Sequence, residues 1–135
     1  MASTAAICDS YKVDILNGVH QPGDTYMAAL YNPGTLSKST TAYTSSGETS
    51  GTGYTAGGVA LSGYTVALSG DTAYLTFGNP SWAGSSITAS TALIYNASRS
   101  NKAVAVLTFS STTSTAGTFT LALPAAGASS TVTIS

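Results

Sequence analysis

The sequence predicts an all-β protein: an antiparallel β-sandwich of jelly-roll type with one short N-terminal helix, formed by residues 1–135 as a single domain. Its length of 135 residues suits one domain with a sizeable core. Only 7% of the chain is charged while 43% is hydrophobic, and this balance favours strands and turns over disorder. From residue 59 onward, short apolar segments alternate with turn signals at intervals of roughly ten residues, which is typical of sandwiches and jelly rolls.

The N-terminal helix is predicted at residues 10 to 17. Asp9 or Ser10 can cap it, and Gly18 is placed to end it. The apolar residues that fall at helical spacing are Tyr11, Ile15, Leu16 and Val19. We therefore expect a helix with a single apolar stripe.

A buried strand is predicted next, at 26–31 (YMAALY), and the Asn-Pro-Gly sequence at 32–34 ends it. The following segment, 35–58, has no sustained period, and irregular segments of this length are usually functional or packed against a partner. Its glycine-rich part, 47–58 (GETSGTGYTAGG), lacks the Lys-Ser/Thr ending and the following helix that a phosphate-binding loop needs. We therefore predict an ordered surface loop whose glycines adopt positive φ angles.

Three pairs of antiparallel strands are predicted after this loop: 59–68 with 72–78, 86–95 with 102–109, and 118–124 with 131–135. In the first pair, alternation places Tyr64, Val66 and Leu68 on one half-buried face. Strand 102–109 is apolar on both faces, so we expect it at the centre of a sheet with Phe109 in the core.

No group of side chains in the sequence indicates catalysis. A glycosidase needs two carboxylates facing one cleft; Glu48 and Asp71 could meet in the fold, but loop and turn positions explain both. His20 and Cys8 could form a nucleophilic dyad, although Cys8 is typical of a small buried hydrophobe and His20 precedes a turn. One Cys and one His cannot complete a zinc site. We predict no enzymatic activity, no cofactor and no metal site.

The charge pattern excludes other classes of partner. The net charge is −1, and the four cations, Lys12, Lys38, Arg99 and Lys102, form no basic run, so nucleic-acid binding is not expected. No apolar run approaches the ~20 residues that span a membrane. The N-terminal residues lack the features of a secretory signal, so we expect synthesis in a cytoplasm.

Four segments together resemble a known family: ALY at 29–31, TTAYT at 40–44, the glycine-rich 47–58, and TALIYNASRSNKAVAVL at 91–107. Across roughly residues 8 to 124 the chain resembles the small capsid cement, or decoration, proteins of tailed bacteriophages. This resemblance implies a jelly-roll-like virion protein on the exterior of an icosahedral capsid, where it cements neighbouring major capsid proteins. It also implies a small homo-oligomer, with a dimer favoured and a trimer possible, and no active site.

With this resemblance, the irregular loop and nearby aromatic residues become candidate interface residues: Tyr43, Gly51, Gly53, Tyr54 and Trp82. The glycines permit close approach of a partner, and large aromatic side chains are frequent interface anchors. Two alternatives remain open. The loop and its aromatics can pack on their own sandwich, or the protein can be a carbohydrate- or receptor-binding module, such as a tail-fibre-like adhesin, with Trp82 and Asn79 as its binding shelf.

Overall fold

The computed structural model describes residues 3–32, 36–127 and 129–134. The chain forms an all-β antiparallel sandwich with one short helix, as the sequence predicts. In chain order the elements are β1 (Ser3–Ile7), α1 (Asp9–Leu16), β2 (Tyr26–Tyr31), β3 (Val59–Ala60), β4 (Thr65–Ser69), β5 (Thr72–Thr76), β6 (Ser81–Ser85), β7 (Thr88–Asn96), β8 (Lys102–Thr113), β9 (Gly117–Thr120) and β10 (Val132–Ile134). The predicted strand end at 33–34 lies outside the described residues.

The strands form three antiparallel sheets. The largest has the order β1-β8-β7-β2-β3, the second has the order β10-β5-β4, and β6 pairs with β9. Strand β8 lies between β1 and β7, and its residues 103–107 are buried on both faces. The prediction of a central strand is therefore confirmed.

Helix α1 forms where the sequence predicts it and ends as expected, because Gly18 has φ of +68 and its N–H donates to the carbonyl of Ile15 at 3.0 Å. The predicted cap differs: Asp9 is the first helical residue, and Cys8 precedes the helix without a side-chain capping bond. The predicted apolar stripe is also too wide. Tyr11 is buried, but Leu16 is 89% exposed. A helix of two turns offers only a narrow side to the sandwich, and Leu16 falls beside it.

The last predicted hairpin is wrong. Strand β9 pairs with β6, and strand β10 pairs with β5 as a third strand of its sheet. The alternation of apolar residues correctly indicated strands at both places. It could not identify their partners, because many strands of similar length and pattern are available.

Two expectations about burial need correction. Strand β4 is the edge of its sheet, so Val66 and Leu68 are 60% and 72% exposed instead of half buried. Phe109 is only partly buried, and it contacts the fully packed ring of Phe119 with ring centroids 6.4 Å apart. Val66 and Leu68 lie on the edge strand of their sheet, and Phe109 lies opposite Ser3, where the pairing of β8 with β1 begins.

Candidate functional site

The irregular loop is ordered by contacts with its own domain. Isolated bridges join Tyr31 to Glu48, Ala42 to Lys102, and Thr52 to Ser86. The side chain of Thr49 adds a bond, donating from Oγ1 to the carbonyl of Thr88 at 2.7 Å. The loop therefore behaves as part of the sandwich rather than as a free arm.

The carboxylate of Glu48 organises this loop. Its Oε1 accepts from the hydroxyl of Tyr43 at 2.6 Å, and its Oε2 accepts from the hydroxyl of Tyr54 at 2.6 Å and from the N–H of Gly57 at 2.8 Å. The Tyr54 hydroxyl in turn accepts the N–H of Leu30, in strand β2, at 3.0 Å. One carboxylate thus joins both ends of the loop to the large sheet.

The tyrosines around Glu48 remain protonated at neutral pH. Burial, with the hydrogen bond to Glu48 second, raises the pKa of Tyr43 to about 12 and raises the pKa of Tyr54 further above its ordinary range. Both hydroxyls can therefore act only as donors to the carboxylate. These hydrogen bonds hold the loop against the sandwich.

The glycines of the loop permit a close approach, but to the chain itself. Gly51 has φ of +150 and Gly53 has φ of +80. A Cβ at Gly51 would lie 2.5 Å from the carbonyl oxygen of Ser86, and one at Gly53 would lie 2.8 Å from that of Gly84. The predicted positive φ angles are confirmed, and they let the loop pass against the end of β6.

Trp82 and Tyr54 link the loop to the core. Trp82, in β6, is 3% exposed, and its ring stacks on Tyr54 at 6.2 Å and meets Phe119 edge-on at 6.0 Å. Asn79 is also occupied, because its Oδ1 accepts the N–H of Leu123 at 2.9 Å. These positions favour the alternative in which the aromatics pack on their own sandwich, and they leave no exposed Trp82–Asn79 shelf for a sugar.

The two candidate catalytic pairs are not assembled. Glu48 is held by its three donors, while Asp71 is an exposed turn residue. Cys8 is fully buried, and burial together with Asp9 raises the pKa of its thiol to about 11. His20 instead lies between Asp14, whose Oδ2 is 3.4 Å from Nε2, and Asn96, whose Nδ2 is 3.0 Å from Nδ1. A buried thiol that stays protonated at neutral pH is a poor nucleophile.

An ion pair between Asp24 and Arg99 joins the turn before β2 to the turn after β7. We call it the Asp24–Arg99 clasp, and the sequence did not indicate it. Arg99 donates from Nε to Asp24 Oδ2 at 2.8 Å and from Nη2 to Asp24 Oδ1 at 3.0 Å. Asn96 donates to the same Oδ2 at 2.9 Å. These bonds hold the pKa of Asp24 well below its usual range. No local pattern signals a pair that is 75 residues apart.

A polar cleft of about 490 Å³ opens between the loop and the β8–β9 connection. Its lining is dominated by hydroxyl side chains: Thr49, Ser50, Ser86, Thr88, Thr113, Ser114 and Thr115, with Asn32, Glu48 and Ile87. Some of these hydroxyls bond each other, as Thr88 and Thr113 do at 2.8 Å. The cleft offers hydrogen bonds but no aromatic platform.

A second depression is apolar and lies between α1 and β10; we call it the helix groove. It has a volume of about 300 Å³ and is lined by Ile7, Lys12, Ile15, Leu16, Val132, Thr133 and Ile134. A smaller cleft of about 190 Å³ shares Ile15, Val132 and Ile134 with it and continues to Tyr64 and Val66. The apolar lining therefore extends from the helix across the sheet that contains β10, β5 and β4.

The large hydrophobic residues that the described chain leaves exposed are Val13, Leu16, Val66, Leu68 and Ile134. Leu16 and Ile134 line the helix groove, Val66 lines the smaller cleft beside it, and Val13 and Leu68 lie on α1 and β4. This surface has no signal in the sequence, since a periodic pattern shows which residues share a face but not whether another element covers that face.

A scan against protein-family models, a search of curated proteins and a search of solved structures find no match to this chain. Among the described residues, no helix is long and apolar enough to cross a bilayer. The same residues contain no cluster of three or more His, Cys, Asp and Glu side chains that could hold a metal ion.

Proposed function

We propose that this protein is a structural virion protein that binds the outer surface of an icosahedral phage capsid and cements neighbouring major capsid proteins. The observation that carries the proposal is the apolar surface around the helix groove, where Leu16 and Ile134 are 89% and 54% exposed. Contiguous apolar patches larger than a few hundred Å² are uncommon on monomeric proteins and often mark binding sites. The resemblance to capsid cement proteins indicates what the partner is.

The chemistry of the groove suits a protein partner. Lys12 is the one charged residue among its lining, and it already pairs with Asp9 at 3.2 Å. Interface cores are depleted in charge and rich in apolar side chains. Full burial of a Leu or Ile side chain stabilises a contact by about 1.5–3 kcal/mol. Binding through this groove should therefore be strong at high salt, unlike binding to nucleic acid.

Helix α1 is the docking element in this model of binding, and the irregular loop has a different role. Tyr43 and Tyr54 donate their hydroxyls to Glu48, and Trp82 is buried. Their side chains therefore support the sandwich, and the exposed side of α1 makes the main contact. A contact of the loop backbone with the capsid stays a prediction.

The test is co-sedimentation of purified protein with capsids that lack it, taken from the phage whose genome encodes the chain. We expect wild-type protein to bind equally at 50 and 500 mM salt, as apolar contact is not screened. Leu16→Gln should weaken binding by about tenfold, which corresponds to ~1.4 kcal/mol. The matched control is Thr118→Gln, at an exposed position on β9. Failure of the wild type to bind, or full binding by Leu16→Gln, would contradict the proposal.

The alternative function, a carbohydrate- or receptor-binding module, is favoured by one observation, the hydroxyl-lined cleft of about 490 Å³. Sugars are bound by convergent hydroxyl, amide and carboxylate groups, and Asn32 and Glu48 lie beside the hydroxyls here. Under this function, neutral oligosaccharides should shift the amide NMR signals of Thr88 and Thr113. An unchanged spectrum at millimolar sugar would exclude it.

A further inference from the structure

Strand β4 is an unprotected sheet edge. It is the last strand in the order β10-β5-β4, and in the described residues no strand pairs with its outer side. Four of its five residues are exposed, and only Ala67 is half buried. Proteins usually protect such edges with Lys, Pro or a bulge. The segment TVALS carries none of these, so its outer edge can accept another strand.

The turn between β4 and β5 determines which backbone groups of β4 face outward. The two residues 70–71 form this turn, and its glycine has φ of 60, as the first central position of a type II′ turn requires. The flanking residues Ser69 and Thr72 are then a hydrogen-bonded pair, and such pairs alternate along an antiparallel ladder. Val66 and Leu68 therefore direct their N–H and C=O groups away from β5, toward the open edge.

We propose that two copies of the chain pair through their β4 strands, antiparallel, about a twofold axis at Ala67. In this register Val66 lies opposite Leu68 of the second copy, and Thr65 lies opposite Ser69. The outward N–H and C=O groups of Val66 and Leu68 then all find partners across the axis. The two three-stranded sheets become one continuous sheet, and the open edge disappears from both copies.

The segment favours a second copy of itself over an unrelated strand. Read in either direction, TVALS has the order hydroxyl, branched apolar, Ala, branched apolar, hydroxyl. A twofold axis at Ala67 therefore places a hydroxyl side chain opposite a hydroxyl side chain and a branched apolar side chain opposite a branched apolar side chain, with Ala67 opposite Ala67. The strand carries no charge and the whole chain has a net charge of −1, so repulsion between copies is small.

The exposed side chains beside the edge add apolar area to the backbone pairing. Val66 and Leu68 are 60% and 72% exposed, and Leu68 lies in one row with Ala73 and Ile134 across the sheet. Directly opposite residues share a face, so Val66 and Leu68 of both copies form one cluster. This apolar cluster adds to the backbone hydrogen bonds in holding the two copies together.

The first test measures the mass of the purified protein in solution without capsids, so it does not depend on the proposed function. We expect wild-type protein to be a dimer at concentrations of about 10–100 μM. In the proposed register, Val66→Lys with Leu68→Lys opposes like charges, whereas Val66→Lys with Leu68→Glu opposes unlike charges. The first double variant should raise the dimer dissociation constant by about 100-fold, while the second should remain dimeric.

This pair of variants separates a broken interface from a broken fold, because both place two charged side chains at the same exposed positions. Both should unfold at similar temperatures. A monomeric wild type, a trimer, or a dimer that persists in the double-lysine variant would overturn the proposal. Loss of the dimer in both double variants alike would overturn the register.

The second test fixes the register by cross-linking. Opposed Ala67 residues form a pair without hydrogen bonds, with Cα atoms about 4.5 Å apart, which lies within the range for a disulfide. Ala67→Cys should therefore form a covalent dimer under mild oxidation. Thr65→Cys is the matched control, as its copies lie several residues apart across the axis. The native Cys8 is fully buried and should not react. No covalent dimer from Ala67→Cys, or equal yields from both variants, would overturn the register.

Discussion

At the scale of single residues, the carboxylate of Glu48 joins three hydrogen-bond donors of the loop. It accepts three hydrogen bonds from groups that follow or precede it by at most nine residues, and two of these donors, Tyr43 and Tyr54, are themselves packed on the sheet. A carboxylate held by several donors is well satisfied when half buried. The loop is thus ordered by polar contacts at its centre and aromatic packing at its margin.

The Tyr54 hydroxyl should be worth more to stability than an ordinary surface hydroxyl. In Tyr54→Phe, the N–H of the fully buried Leu30 loses its acceptor, and Glu48 loses a donor. We expect a loss of about 1–3 kcal/mol in the free energy of unfolding, measured by urea titration. The control is Tyr74→Phe, whose hydroxyl makes no hydrogen bond among the described residues, and it should change stability by less than ~0.5 kcal/mol. Equal effects of the two substitutions would disprove this role.

At the scale of elements, strand β9 connects the small β6–β9 sheet to the core through one ring. Phe119 is 2% exposed and contacts Trp82 on one side and Phe109 on the other. Phe109 belongs to β8, so these three aromatics join the small sheet to the large one. The sequence predicts Phe109 fully in the core, but Phe109 remains partly exposed and so contributes less to the contact between the two sheets.

Truncation of the two phenylalanines should therefore have unequal effects. Phe119→Ala removes a fully packed ring and should cost about 3–5 kcal/mol in the free energy of unfolding. Phe109→Ala removes a ring that is already partly in water, so we expect about half of that cost. Chemical denaturation of both variants measures the difference. A larger loss for Phe109→Ala would show that β8, and not β9, supplies the main contact between these sheets.

At the scale of the whole molecule, the Asp24–Arg99 clasp makes stability depend on pH. The folded-state pKa of Asp24 lies below its unfolded value of about 3.9, so the stability it contributes is present above pH ~4 and is lost as the pH falls further. The pKa of His20 is also lowered, mainly by burial, and its neutral form is the stable one in the fold. As the pH falls below the unfolded pKa of His20, about 6.5, protonation of His20 therefore also lowers the stability of the fold.

The substitution Asp24→Asn separates the two groups. We expect it to lower the melting temperature at pH 7, and to lower it less and less as the pH falls below ~4, because the wild-type carboxylate is then protonated as well. The change in melting temperature that remains near pH 6 in Asp24→Asn is then assigned to His20. Thermal unfolding followed by circular dichroism between pH 2.5 and 8 measures both. A difference in melting temperature between wild type and Asp24→Asn that stays constant over this pH range would contradict the assignment to Asp24.

Consecutive residues were enough to predict the fold class, helix α1, the buried strand β2 and the central strand β8, because burial and alternation show in their order along the chain. They also indicated that the glycines at 51 and 53 need positive φ angles. The folded arrangement was needed to find that β9 pairs with β6, that the loop glycines approach the chain's own β6, and that β4 is an open edge. Pairing partners and exposure depend on contacts between residues far apart in the chain, and a local pattern specifies a face without specifying what covers it.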